Sequence, residues 1–561
     1  MRKGFRIALG ASLLLSAAAC GKQPEGRFNV VLISIDSLRA DHIGPYGHKP
    51  EFEPALAITP NLERLAREGA TFEDAWTTSS WTLPAHMALM TGLSDRAHAV
   101  EHDDFALDPL RTTLAEAFRA DGYATGGAYS GPFLDPGYGF GRGFDEYVSG
   151  MLTSGEFAQK VRDQDAERRQ RGQPPLQPRD VKAMRDRISH YDVTSPRVNA
   201  FARKFLAQHA DERFFLFLHY FDAHYDYLAD LCDPTLPAQF DRGYTGNMHG
   251  EDWFFDAQKR VMTWPTPQEP IGQRVIGERD LRHALALYDA EIHFVDRHVG
   301  LILDQIEALG LQQETIVIVT ADHGDEFFDH GSIGHRSSLY RELCRIPLII
   351  RVPGSGQSGQ RVPYLTRIYD LAPSLLDWCG LPPLAEAQGR SVRPLMETGQ
   401  NDGRTSLHRI YARFNRDVLG NHNVREGFRD ERFTVIRHLQ PRDAAATPQG
   451  LPFGPFPDPR FGRDFLVFDR VADPRELDPL DRADPRWREA VDAFCAAWTV
   501  SEAESTALVT SPIGMRRSPE KSADQQAGLA ALGYAGAAEA VNEGGRHPPL
   551  EPFPSPCLPP R

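Results

Sequence analysis

Four apolar runs, far apart in the chain and separated by helical stretches, restrict this sequence to few architectures. Residues 29–35 (NVVLISI), 214–219 (FFLFLH), 315–320 (TIVIVT) and 346–351 (IPLIIR) are nearly continuous in branched and aromatic residues. Strands that alternate apolar with polar keep one wet face; continuous runs belong to strands buried on both faces, as in a parallel sheet covered by helices. The intervening sequence supplies the helices. Thr59-Pro60 can open one that Gly69 closes, and over 281–309 the residues Leu285, Tyr288, Ile292, Val295 and Val299 recur at helical spacing. The expected fold class is α/β, with a mostly parallel central sheet covered by helices.

Composition divides the rest. Residues 1–19 have a basic start, an apolar stretch from Ile7 to Ser16 and small residues from Ala17 to Ala19, the layout of a secretory signal peptide. That stretch is shorter than the roughly 20 residues a membrane-spanning helix needs. Cys20 follows at once, and the junction resembles a bacterial lipobox. This implies a lipidated Cys20, a linker over 20–27, membrane attachment through the lipid and a place in the bacterial cell envelope, in the outer membrane or facing the periplasm. An ordinary secretory signal with a chance cysteine is the other reading. Residues 28–400 form the expected α/β domain, with a charged surface insertion over 151–197 that holds QRGQPPLQPRD. From 401 to 500 the pattern loosens, with strands expected at 431–437 and 463–469, as in a smaller α+β subdomain. Residues 501–561 read as helix and then a Pro-rich tail. A formal charge of −15 argues against a nucleic-acid partner, and six cysteines without a C-x-x-C pair offer neither a disulfide scaffold nor a zinc knuckle.

In open α/β sheets ligands gather beyond the carboxyl ends of the strands. Two runs end in acidic residues, LISIDSLRADH at Asp36 and IVIVTADHGDE at Asp322-His323. Two carboxylates and an imidazole so placed suit a divalent cation; equally, each aspartate could cap the turn that follows. In WTLPAHMALMTGL, Pro84 suits a first helical turn and sets Thr82 near a helix N-terminus, where free N–H groups favour anions. By position alone Thr82 is a helix cap. Touching a metal, its hydroxyl would become a nucleophile, because the cation lowers its pKa.

The segments SIDSLRADHIGPYG, TPNLERLAREGATFEDAW, SSWTLPAHMALMTGL, FLFLHYFDAHYDY, TADHGDEFFDHGSIGH and YDLAPSLLDWCGLPPL occur in the order seen in the sulfatase family. The resemblance covers residues 28–400, with a weaker echo at FLVFDRVADPREL, and implies a metal-dependent hydrolase of the alkaline-phosphatase-like superfamily. It implies that Asp36 is the first metal-binding aspartate, that Asp322 and His323 are the later ligands, and that Thr82, also against the metal, stands where the nucleophile does. By the same resemblance His224 contacts the anionic group of the substrate, His335 faces the leaving group, and His86 replaces an arginine that supports the nucleophile.

The departures from the family pattern carry as much. Sulfatases of the main type have C-x-P-x-R or S-x-P-x-R, whose Cys or Ser is oxidised to formylglycine; here the sequence is Thr82-Leu83-Pro84-Ala85-His86. Oxidised threonine would be a ketone, and Ser80 is at the wrong offset. Threonine serves as nucleophile in relatives that handle phosphate esters, and a sulfo-threonine would be hard to release, so the resemblance implies phosphoryl rather than sulfuryl chemistry. Ser37 stands where the family has a second aspartate, and His323 offers nitrogen, which suits zinc or manganese better than calcium. Asp222, His224 and His335 could build a second metal site or bind substrate by hydrogen bonds. The expected activity is metal-dependent hydrolysis of a small-molecule, glycan or lipid phosphate ester. Sulfate-ester hydrolysis without formylglycine and an inactive binding lipoprotein are the alternatives.

Overall fold

The computed structural model describes residues 27–101, 105–152, 154–176, 192–246, 248, 250, 277–330, 333–336, 338–413, 422–439, 465–509 and 516–517. The leader, Cys20 and the Pro-rich tail lie outside these residues.

Eight strands form the central sheet: β1 (Asn29–Ile35), β2 (Ala70–Trp76), β3 (Ala124–Tyr129), β4 (Glu146–Ser149), β5 (Phe214–Tyr220), β6 (Thr315–Ala321), β7 (Leu348–Arg351) and β8 (Gln360–Arg367). Their order is β8-β2-β7-β6-β1-β5-β3-β4. The first three apolar runs form its middle, β6-β1-β5, and every residue of those strands is buried. The fourth run pairs only over its last four residues and is the one antiparallel strand among the eight, against both β2 and β6. Between β6 and β7 the chain forms a small hairpin and one short helical turn, Arg341–Cys344, in place of a crossover helix, so it returns antiparallel.

The helices that position the site are α1 (Pro60–Glu68), α2 (Thr82–Thr91), α3 (Ser195–Gln208) and α4 (Glu278–Ala308). On α4, Tyr288, Ile292, Val295 and Val299 are buried and Leu285 is half-buried, as their spacing requires. Thr59 does not cap α1: its hydroxyl accepts from the Gly44 N–H, and Asp296 on α4 takes the N–H groups of Asn61 and Leu62. α2 is buried on every side, so it lies within the core rather than on it. In the charged stretch, Ser154–Gln170 is helical, whereas Thr194 and Ser195 are buried and α3 begins at Ser195.

A second sheet follows, β9 (Ser406–Arg413), β10 (His422–Arg429), β11 (Phe433–Leu439) and β12 (Phe465–Asp469), antiparallel in chain order. One face packs on α5 (Pro485–Val509) through Phe428, Val435, Val467, Phe494 and Trp498. The other carries Ile436, Leu466 and Phe468 onto Trp76, Tyr340 and Leu343 of the main domain. Arg429 crosses that seam fully buried. It lies 4.2 Å from the centre of the Trp76 ring, donates to the Leu339 carbonyl and pairs with Glu476 at 3.2 Å. Glu476 also accepts from the Thr434 hydroxyl and the Arg341 N–H. His330, in the hairpin, donates to Glu342 at 2.6 Å and to the Glu476 carbonyl at 2.8 Å.

Removing one partner of a buried ion pair strands the other charge, at a cost of about 3–5 kcal/mol. Glu476→Ala is therefore expected to lower stability by about that amount in urea unfolding. His330 gives a pH signature. Burial opposes its charge, but Glu342 outweighs burial and moves its pKa up from 6.5 to about 9. Its contribution is present in full below the unfolded value of 6.5 and is lost as the pH rises through about 9. His330→Gln is expected to remove on the order of 2 kcal/mol of that alkaline loss, read from unfolding midpoints on the two sides of the transition.

Candidate active site

β1 lies between β5 and β6 with all three parallel, and Ser34 is in register with His219 on one side and Thr320 on the other. Side chains alternate along a strand, so the face that holds Ser34 and His219 continues to Asp36 and Asp322 just past the carboxyl ends. α2 covers this face. Its N-cap is Trp81, with no side-chain cap, and Thr82 is the first helical residue. The Thr82 hydroxyl is therefore not a cap: Oγ1 lies 3.4 Å from Asp36 Oδ2 and 3.3 Å from His323 Nε2. One turn on, His86 Nδ1 is 2.9 Å from the Thr82 carbonyl and Nε2 is 2.9 Å from Ser34 Oγ. With its proton on Nδ1, His86 accepts from the serine and ties the start of α2 to β1.

Asp36, Asp322 and His323 are completely buried. Asp322 Oδ1 accepts from the N–H groups of Ser37 at 3.1 Å and His323 at 2.9 Å, so this oxygen does close the turn. Ser37 holds φ = 56° to make that bond, a left-handed conformation uncommon for a residue with a side chain. Asp322 Oδ2, by contrast, has no hydrogen bond and lies 3.3 Å from His323 Nε2. Burial and the charge of Asp36 push the Asp322 carboxyl up to about 6. Burial also works against Asp36, but the His219 contact and the neighbouring imidazoles hold it well below the usual carboxylate range. His323 Nδ1 is 2.8 Å from the Gly324 carbonyl, which puts the proton there and leaves Nε2 a bare lone pair.

These donors fit a divalent cation. Ligands about 2.0–2.2 Å from one tetrahedral ion stand roughly 3.3–3.5 Å apart, a separation shown by Thr82 with Asp36, Thr82 with His323 and His323 with Asp322, while His323 Nε2 lies 3.7 Å from Asp36 Oδ1. Of the three other His/carboxylate groups among the described residues, His86–His219–Asp322 shares Asp322 with this set and the other two make the contrast. In His42–Asp289–His48 the two imidazoles take the two carboxylate oxygens at 2.8 Å each, and in Glu326–His330–Glu342 both His330 nitrogens are bonded. Those imidazole nitrogens meet partners that hydrogen bonds satisfy; Asp322 Oδ2 has none.

His224 and His335 form the adjoining wall, with rings 5.0 Å apart and His335 4.4 Å from the His323 ring. His224 Nδ1 is 2.7 Å from the Tyr225 carbonyl, and burial drives its pKa down to about 3. His335 Nδ1 is 3.2 Å from Asp325 Oδ1, and Asp325 Oδ2 accepts from the Tyr227 hydroxyl. Burial lowers His335 and His86 well below the ordinary imidazole value and raises Asp325 to about 6.

Asp222 is not part of the site. Its carboxylate caps α3, accepting from Thr194 N at 2.7 Å, Thr194 Oγ1 at 3.0 Å and Ser195 N at 2.7 Å. The second metal set of Asp222, His224 and His335 is therefore not assembled. Three residues of the site escaped the sequence reading: His219, Asp325 and Tyr227. His219 had a signal, since it ends one of the apolar runs just as Asp36 ends another. Asp325 stands three positions after Asp322 in a segment already singled out.

Residues 28–381 match the family model described as sulfatase, and residues 328–446 match that for the C-terminal part of N-sulphoglucosamine sulphohydrolase. The chain is 25% identical over 532 residues to the multifunctional alkaline phosphatase superfamily protein PehA of Trinickia caryophylli, covering 86% of this chain and 96% of that one. It is 23% identical over 411 residues to an arylsulfatase of Clostridium perfringens, covering 68% and 80% respectively. Its fold is similar to that of the phosphonate monoester hydrolase of Agrobacterium radiobacter, with a TM-score of 0.61 at 19% identity over 85% of this chain and 96% of that one. The chain belongs to the sulfatase family of hydrolases, within the alkaline phosphatase superfamily.

Proposed function

We propose that this protein hydrolyses phosphate esters with Thr82 as the nucleophile and a divalent cation, zinc or manganese, held by Asp36, Asp322, His323 and Thr82. The observation that carries the reading is the Thr82 hydroxyl, free of any capping duty and 3.4 and 3.3 Å from Asp36 and His323. A cation bound there supplies the positive charge that acidifies the hydroxyl and offsets charge on the reacting group.

Thr82 Oγ forms a bond to phosphorus as the bond to the ester oxygen breaks, leaving a phosphothreonine. His335, with its Nδ1 proton held by Asp325, presents Nε2 on the leaving-group side, where it relays a proton from solvent water to the leaving oxygen while the Thr82 proton goes to solvent. In the second step His335 Nε2 takes a proton from the attacking water as the new P–O bond forms and the P–Oγ bond breaks, and Thr82 Oγ regains a proton from solvent. His224, whose Nδ1 proton is on Tyr225 O, offers Nε2 to a protonated phosphate oxygen. His86 and Ser34 keep the start of α2, and so Thr82, in place.

Phosphate is preferred over sulfate because position 82 cannot give formylglycine. The alternative, a sulfate-ester hydrolase, is favoured by the match to the sulphohydrolase C-terminal model and the arylsulfatase relative. The fold neighbour from Agrobacterium radiobacter, on the other hand, is a phosphonate monoester hydrolase by name, and PehA is named as a multifunctional member of the superfamily. The substrate is a small-molecule, glycan or lipid ester, and the enzyme is anchored to the cell envelope through Cys20.

Zinc- or manganese-loaded protein is expected to turn over nitrophenyl phosphate mono- or diesters, with sulfate turnover near background. Thr82→Ala should lower phosphoester turnover by on the order of 10³-fold or more. Dominant sulfate turnover, or phosphoester turnover that survives Thr82→Ala, would overturn the assignment. Anchoring is tested separately: Cys20→Ser is expected to move the full chain from the membrane fraction to the soluble one.

A further inference from the structure

We propose that His219 is a ligand of the same cation, through Nε2, which makes the centre one of two imidazoles and two carboxylates around the nucleophile. The inference rests on the metal reading of Asp36, Asp322 and His323. His219 is completely buried, and its Nδ1 lies 2.8 Å from the Ser130 carbonyl and 3.4 Å from the Ser130 N–H. The shorter contact, to the carbonyl, assigns the proton of a neutral imidazole to Nδ1, which leaves Nε2 a bare lone pair. Nε2 has no hydrogen-bond partner and faces Asp36 Oδ2 at 3.4 Å. Two electron-rich atoms turned toward each other in a site closed to water repel unless something positive lies between them. The 3.4 Å separation is also the ligand-to-ligand distance that recurs between Thr82 and Asp36. The ring packs at 90° against the His86 ring with centroids 4.8 Å apart.

The positive element is either a metal ion or a second proton on His219 that bonds to Asp36. A second imidazole nitrogen in the donor set selects a transition metal and discriminates against calcium, which takes oxygen ligands. A protonated His219 would add a charge beside the metal and bring no such selectivity.

The two are separated with His219→Gln. The glutamine amide reaches the Nε2 position and can donate to Asp36, but it cannot replace an imidazole ligand. Full-length protein stripped of metal is titrated with Zn²⁺ against a chromophoric chelator, and with Co²⁺ by its visible absorption. His219→Ala and His219→Gln are both expected to lose more than about 100-fold in Zn²⁺ affinity, beyond what loss of an outer-sphere partner costs, and to change the Co²⁺ spectrum. Wild-type affinity and spectrum in the Gln variant would overturn the proposal and make His219 a proton donor to Asp36. Pulsed EPR of the Mn²⁺-loaded wild type gives a readout that needs no variant: two coordinated imidazole nitrogens are expected, and one overturns the assignment. A wild type that binds neither Zn²⁺ nor Co²⁺ would instead sink the underlying metal reading and this proposal with it.

Discussion

The like charge gathered at the ends of three adjacent parallel strands governs this molecule. Asp36 and Asp322 are fully buried with His219 and His323 around them, and hydrogen bonds inside the protein satisfy only part of that set. Uncompensated, such a cluster costs several kcal/mol per buried charge. Its assembly follows from topology. Parallel pairing of β1 with β5 and β6 fixes the register, and strand alternation then puts Asp36, His219 and Asp322 on one face. A one-residue slip in either pairing would turn half the set away. The sheet has to be rigid and covered because the chemistry it carries tolerates so little displacement.

Threonine at position 82 changes what this scaffold must supply. A formylglycine hydrate brings its own reactivity; a threonine hydroxyl does not, and needs both a base and nearby positive charge. His86, in the position where the family pattern has an arginine, is spent on the Thr82 carbonyl and Ser34 Oγ. It is driven neutral by burial and so orients without contributing charge. In the proposed mechanism the positive charge in the pocket falls to a bound cation, which ties the donor set to a threonine nucleophile.

The middle of the fold was legible because long apolar runs can be explained in few ways. β1, β5 and β6 are those runs, and α4 carries the predicted buried stripe. Asp36, Asp322, His323, Thr82, His86, His224 and His335 were legible through ordered motifs. What failed to show was whatever depends on partners distant in sequence. Thr59 has the right chemistry to cap α1, yet Asp296, more than two hundred residues away, does so. Asp222 stands two residues from His224 and looks like a ligand, yet the start of α3 claims it. β10 hid because its arginines, Arg425 and Arg429, are buried at a seam between two sheets, where local polarity says surface.

That seam bears on catalysis. The loop from Thr77 to Trp81 ends at Thr82, the proposed nucleophile, and three separate segments hold its backbone. Thr77 N–H donates to the Cys344 carbonyl at 2.9 Å, the Thr78 carbonyl accepts from Arg409 N–H at 2.8 Å, and the Ser80 carbonyl accepts from Arg336 N–H at 2.9 Å. Arg409 belongs to β9 of the second sheet, and Arg336 follows His335 directly. The hydrophobic contact of Ile436, Leu466 and Phe468 with Trp76 fixes β9 against this loop. The Arg429–Glu476 pair fastens the same seam from the other side. The second sheet thus acts as a buttress for the start of α2. Under the proposed mechanism, in which Thr82 meets phosphorus in line, the threonine cannot be carried on a mobile loop, since a misplacement of about 1 Å can cost on the order of 10²-fold in rate. On this view the smaller subdomain belongs to the catalytic unit, and loosening its seam should show first in turnover, before the main sheet loses stability.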